Sequence, residues 1–124
     1  MKLFISADIE GTTGIAHWNE TEKNHPDWKY FADQMTKEVS AACQGAMAAG
    51  CEDILIKDAH DSARNLNPRE LPECAKLLRG WTGAPASMMA GLDESFDGLD
   101  PNMRVLVSNL LTEYLLEVGA TIVV

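Results

Sequence analysis

The sequence predicts a three-layer α/β fold with a mostly parallel sheet, and three observations predict it. One apolar run, Leu3-Phe4-Ile5-Ser6-Ala7, opens the chain, and a second, Asp53-Ile54-Leu55-Ile56-Lys57-Asp58-Ala59, follows some forty residues later. Between them lies a long stretch whose apolar residues recur at helical spacing. Strand, loop, helix and strand in that order make parallel pairs through a right-handed crossover, and such sheets are covered on both faces.

The first strand ends in Asp8-Ile9-Glu10-Gly11. The run reads as a buried strand, and because residues two apart on a strand share a side, Asp8 and Glu10 are expected to project two carboxylates from one face. Like charges that close raise one another's pKa or recruit a cation, and functional residues collect at strand ends in α/β folds. The second strand, expected beside the first, stops at His60-Asp61-Ser62. Asp, Glu and His together form a ligand set suited to zinc or manganese with a position left for water. Singly, a strand-end aspartate is an ordinary turn residue and a lone histidine an ordinary structural one; the conjunction of Asp8, Glu10 and His60 is what points to a metal. Lys57, Asp58, Asp61 and Ser62 flank His60 and are candidates to orient its ring, Asp58 or Asp61 as acceptor of the second ring N–H that a metal-bound imidazole usually donates.

The other elements follow in order. The polar stretch from Gly11 to Asp27, with Gly14, His17, Trp18, His25 and Pro26, is too long for a simple turn, and long ordered loops at strand ends serve function or interfaces. Its Gly11-Thr12-Thr13-Gly14 lacks the lysine of a phosphate loop and reads as a turn. Pro26-Asp27 opens a helix over 28–49, with Phe31, Met35, Val39, Ala42, Cys43 and Ala46 on one face and Gly50 as its stop. Asn67-Pro68 marks a short turn, Lys76-Leu77-Leu78-Arg79-Gly80 a brief third strand, and Ser87-Met88-Met89-Ala90-Gly91 another short helix. From Asp100-Pro101 to Gly119, the spacing of Met103, Leu106, Val107, Leu110, Leu111, Tyr114, Leu115 and Val118 predicts an amphipathic helix. A strand over 120–124 follows it.

The 124 residues carry 10 Lys and Arg against 19 Asp and Glu, a net charge of −9. That balance argues against nucleic acid and anionic membranes as partners, since both reward basic patches. Cys43, Cys51 and Cys74 are odd in number and form no C-x-x-C pair, which fits a reducing, cytoplasmic setting. No leader-like apolar segment opens the chain, and no run approaches membrane-spanning length.

Three stretches together resemble the DppA-type D-aminopeptidases, a family of zinc metallopeptidases with an α/β fold. They are Ser6-Ala7-Asp8-Ile9-Glu10-Gly11, the segment from Gly50 through Lys57-Asp58-Ala59-His60-Asp61-Ser62, and Met89-Ala90-Gly91-Leu92-Asp93-Glu94-Ser95-Phe96-Asp97-Gly98. The resemblance covers Met1 to about Leu99, in the family's order and with similar spacing. It implies hydrolysis of short peptides bearing a D-residue at the amino end, a site that when complete holds two zinc ions, and assembly of copies into large rings. It also implies that Asp8 bridges the ions and that Glu10 and His60 are further ligands. Such a pair of ions would lower the pKa of a shared water and polarise the scissile carbonyl.

Beyond residue 98 the family continues into a strand with another ligand histidine, then an active-site histidine and a ligand glutamate. Here Leu99 leads to Asp100-Pro101 and the predicted helix, and the other histidines, His17 and His25, lie upstream. About half a dizinc site is therefore expected, in a single domain over 1–124 that departs from the family near residue 99. Three explanations stand: a truncated or internally deleted family member, a short homologue that binds metal without peptidase activity, or a chain whose site a neighbour completes in a homo-oligomer.

Two other functional classes share these residues. Phe4 through Thr12 also resembles the first motif of haloacid-dehalogenase-type phosphatases, with Asp8 as nucleophile, Glu10 as general acid and base, and magnesium as cofactor. Ser108 would then supply the phosphate-binding hydroxyl, although it falls inside the predicted helix. The second is a non-catalytic acidic module that binds a metal or a partner. The favoured expectation is zinc-dependent peptide hydrolysis with Asp8, Glu10 and His60 as ligands.

Overall fold

The computed structural model describes residues 2–83 and 87–92, together with the backbone of two strands at 104–107 and 121–122. Strand β1 (Lys2–Ala7) leads through 3-10 turns at Ile9–Gly11 and Trp18–Glu20 into helix α1 (Trp28–Ala48). Strand β2 (Asp53–Asp58), a 3-10 turn at Pro68–Glu70, β3 (Ala75–Leu78), a 3-10 turn at Ser87–Met89, β4 (Arg104–Val107) and β5 (Thr121–Ile122) complete the order. The sheet runs β3-β2-β1-β4-β5 and every neighbouring pair is parallel.

Alternation along the strands decides what lies on each face. Leu3, Ile5 and Ala7 of β1 pack with Ile54 and Ile56 of β2 and with Met35, Val39 and Cys43 of α1 in one apolar core. The buried positions of α1, Ala32, Met35, Thr36, Val39 and Cys43, follow the helical repeat and form the stripe that covers this face. The helix ends where Gly50, at φ +84, lets the chain turn back: Gly50 N–H donates to Met47 O and Cys51 N–H to Ala46 O, both at 2.9 Å. On the opposite face, Ser6 Oγ donates to Met88 O at 2.9 Å. There Gly91 lies so close to Leu55 and Leu78 that a Cβ on it would fall 2.9 and 3.2 Å from their methyl groups. With the 87–91 segment on that side, the chain has the three layers of an α/β fold.

The register places the site. Phe4 pairs with Leu55 and Ala7 with Asp58, so β1 and β2 end level and their loops emerge side by side. Ala59 N–H extends the pairing by one step, donating to Ala7 O at 2.8 Å. Asp8 and His60 are thereby the first residues past two adjacent strand ends.

Two expectations are corrected. The helix over 100–119 fails at Arg104–Val107, which is a strand parallel to β1, Leu3 pairing with Arg104 and Ser6 with Val107. The run Val105-Leu106-Val107 is short and rich in branched residues, and a spacing pattern cannot separate a buried strand from a helical turn in so short a segment. The free edge of β1 decides for the strand. The remainder of that stretch, 100–103 and 108–119, lies outside the described residues. The second correction concerns Asp8 and Glu10, which do not share a strand face, because β1 stops at Ala7 and Glu10 belongs to a 3-10 turn.

Candidate metal centre

Asp8 is the last extended residue after β1, at φ −119 and ψ 131. Fully buried Ile9 anchors the turn that follows, and Gly11 N–H returns to Asp8 O at 3.1 Å. The turn folds Glu10 back toward Asp8, so the carboxylates meet through a tight turn instead of the strand period.

His60 sits on a turn held from within by Asp58, which is fully buried. Asp58 Oδ2 accepts from Asn65 N–H at 2.6 Å and Leu66 N–H at 2.8 Å, while Oδ1 accepts from the Asn65 side chain at 2.9 Å. The same Asn65 amide donates to His60 O at 2.8 Å, and Asn65 Oδ1 accepts from the Trp28 indole at 3.2 Å.

The three side chains converge. His60 Nδ1 lies 3.1 Å from Asp8 Oδ1 and 2.8 Å from Glu10 Oε2. One ligand atom from each of Asp8, Glu10 and His60 falls within 4.8 Å of the others, a candidate metal-binding triad at half-buried positions. The other ring nitrogen, Nε2, lies 3.1 Å from Thr21 O. A carbonyl can only accept, so Nε2 carries a proton, and the neutral ring then directs its Nδ1 lone pair at two carboxylates. That arrangement calls for a cation at Nδ1, either a proton or a metal.

The electrostatics agree. The hydrogen bond to the Asp8 carboxylate is the largest influence on His60 and, with the charges of Glu10 and Asp8, raises its pKa above 6.5 despite burial. Burial is the largest single influence on Asp8 and pushes it up, but its bonds to His60 and Glu10 and the His60 charge together hold it below 3.8. Glu10 is raised above 4.5, first by burial and then by Asp8. Glu10 Oε2 is 2.8 Å from Nδ1, and this buried oxygen has no hydrogen-bond partner. An orphaned carboxylate oxygen beside an imidazole lone pair and a second carboxylate fits a divalent metal, and the N,O,O donors suit zinc.

Asp58 and Asp61 do not orient the ring: the acceptor for its second N–H is the Thr21 carbonyl, from the loop before α1. Asp58 points into the turn and reaches His60 only through Asn65, while the Asp61 carbonyl accepts from the Trp81 indole at 2.5 Å. His17 and His25 are turn residues; Nδ1 of each accepts a backbone N–H two residues ahead, from Asn19 at 3.1 Å and Asp27 at 3.3 Å. Thr21 carried no sequence signal, because any residue supplies a carbonyl. Asn65 is legible only in part, as an amide a few residues past an aspartate, which is a common turn lock.

Comparisons with known proteins agree on one family. The model for D-aminopeptidase matches residues 1–99. A D-aminopeptidase of Bacillus subtilis (strain 168) is 32% identical over 98 residues, covering 79% of this chain and 35% of that protein. Among solved structures, the Zn-dependent D-aminopeptidase DppA from Bacillus subtilis, a self-compartmentalizing protease, matches with a TM-score of 0.76 and 29% identity. The match covers 89% of this chain and 38% of that one, so the chain spans little more than a third of the length of these relatives.

Proposed function

Because this chain belongs to the D-aminopeptidase family, we propose that Asp8, Glu10 and His60 hold zinc and that the chain carries the metal-holding corner of an aminopeptidase for short peptides with a D-residue at the amino end. The observation that carries the reading is the pairing of the Thr21 carbonyl with His60 Nε2, which turns Nδ1 toward Asp8 and the orphaned Glu10 Oε2. Zinc bound there would supply Lewis acidity toward the scissile carbonyl and a water acidic enough to attack it at neutral pH. Asp8 and Glu10 would neutralise the ion's charge and His60 would give its Nδ1 lone pair, with the Thr21 carbonyl fixing the ring plane. Three protein donors leave a position open, as catalytic zinc sites do and structural ones do not.

The residues fit one ion. The family resemblance calls for a second ligand histidine on a strand past residue 99, and β4 contains Arg104, Val105, Leu106 and Val107. The chain's histidines are His17, His25 and His60. Assembly of copies of this chain is the matching proposal for partners, supported by the self-compartmentalizing relative. Among the described residues no helix is long and apolar enough to cross a membrane. The phosphatase alternative gains nothing from the site, since Asp8 Oδ1, its nucleophile, is bonded to His60. Ser108, the hydroxyl that reading needs, lies outside the described residues.

Equilibrium dialysis against zinc, with hydrolysis of D-alanyl and L-alanyl p-nitroanilide by the wild type and Asp8→Ala, tests the proposal. One bound zinc and D-selective hydrolysis, both lost in Asp8→Ala, are expected. Hydrolysis untouched by Asp8→Ala, or no zinc in the wild type, overturns it. Zinc without hydrolysis assigns the chain to the non-catalytic metal-binding class.

A further inference from the structure

Resting on that metal reading, we propose that Lys57 and Trp81 are positioning residues for His60, clamping the turn that carries it to the loop after β3. In this turn Asp61 and Ala63 have φ of 46 and 53. Residues with a Cβ occupy that left-handed region only where surrounding contacts hold them. Part of the hold comes from Asp58 and Asn65, as described above. The rest comes from outside the turn: Trp81 Nε1–H donates to Asp61 O at 2.5 Å and Gly80 N–H to Ala63 O at 2.8 Å.

Lys57 fastens that outer loop. Its Nζ donates to Gly80 O at 2.7 Å and to Asp58 O at 2.8 Å, and lies 4.3 Å from the centre of the Trp81 ring. Two carbonyls and a π face match the three N–H groups of an ammonium. The lysine is fully buried, a position that costs heavily unless every donor is met. Its pairing neighbours on β1 and β3 are Ser6 and Leu78, so an apolar side chain would serve packing as well. Nor is Trp81 a core residue, since it remains 46% exposed. The contacts of both residues are directional, and they converge on the backbone that sets where His60 Nδ1 stands relative to Asp8.

The variants that test the clamp are Trp81→Phe, which keeps a ring above Nζ but removes the indole donor, and Lys57→Met. Two quantities are read on the whole chain: zinc affinity by competition with a chromophoric chelator, and amide hydrogen exchange of the metal-free protein. We expect zinc binding roughly tenfold weaker, the low end of what loss of outer support costs a metal site. Exchange should quicken at 60–64 while α1 is unchanged. Wild-type zinc affinity in the variants, or unchanged exchange at 60–64, overturns the clamp. Should Lys57→Met fail to fold, Trp81→Phe decides alone. The metal reading is judged separately: a wild type that binds no zinc, or loses none in His60→Ala, refutes it, and exchange at 60–64 then still decides whether the two residues hold the turn.

Discussion

His60 turns Nδ1 toward Asp8, 3.1 Å from Oδ1, because its other nitrogen is committed to the carbonyl of Thr21. The ring cannot flip without leaving that buried carbonyl unpaired, which would cost about 1–3 kcal/mol. Proton and zinc therefore compete for one nitrogen. Asp8 and Glu10 raise the pKa of His60 and so favour, in the metal-free protein, the proton that zinc has to displace from Nδ1. Zinc binding should release protons, more of them as the pH is lowered through the His60 titration, measurable by titration calorimetry in buffers of different ionisation enthalpy.

The same shift sets a pH dependence of stability. A raised folded pKa means that protonated His60 contributes stability fully present below its unfolded value of 6.5 and lost as pH rises through the folded value. Asp8, held below 3.8, contributes stability present above that value and lost as pH falls through its folded pKa. Thermal melts of the metal-free protein should decline on the alkaline side of about pH 6.5. With saturating zinc they should instead decline on acidification, as protons displace the ion.

Removal of one donor should show in affinity before fold. Structural zinc sites with four ligands gain about 10–16 kcal/mol, so each ligand accounts for about 2.5–4 kcal/mol, or roughly two to three orders of magnitude. Asp8→Ala and His60→Ala should each weaken zinc binding by at least that factor, and dialysis with elemental analysis reads it directly.

Asp58 should matter for folding more than its lack of contact with the ring suggests. Asp58→Ala leaves the Asn65 and Leu66 N–H groups without their acceptor. The expected loss is about 3 kcal/mol or more in urea unfolding. Asp58→Asn, which keeps one carbonyl oxygen, should cost less.

Two glycines should respond oppositely to alanine. Gly91 has φ +93 and close approaches to Leu55 and Leu78. Gly91→Ala should destabilise by about 1–2 kcal/mol. Gly45, within α1 and with open space around it, should gain about 0.5–1 kcal/mol as alanine. Paired denaturation curves check both.

Much of this was legible because it depended on local period and punctuation. The alternation through Leu3–Ala7, the helical stripe ending at Gly50, and the cap at Asn67 each state their structure within a few residues. Asp8, Glu10 and His60 could be grouped because two strands that pair side by side end level. The manner of their meeting was not legible: whether the chain stays extended after Ala7 depends on Ile9 finding a buried pocket, which only the assembled core provides. For the same reason β4 read as helix, since its identity is set by the open edge of β1. Thr21 is invisible because it acts through its backbone; Lys57 is legible as a neighbour of His60, but its burial is not, because no sequence pattern distinguishes a buried lysine from a surface one.

The most direct test of the central claim is the anomalous-scattering map of a zinc-soaked crystal. The account predicts one zinc peak within about 2.0–2.2 Å of His60 Nδ1 and of carboxylate oxygens of Asp8 and Glu10, with Nε2 still on the Thr21 carbonyl. A peak ligated through Nε2, or zinc elsewhere with this triad still closed on itself, would contradict it.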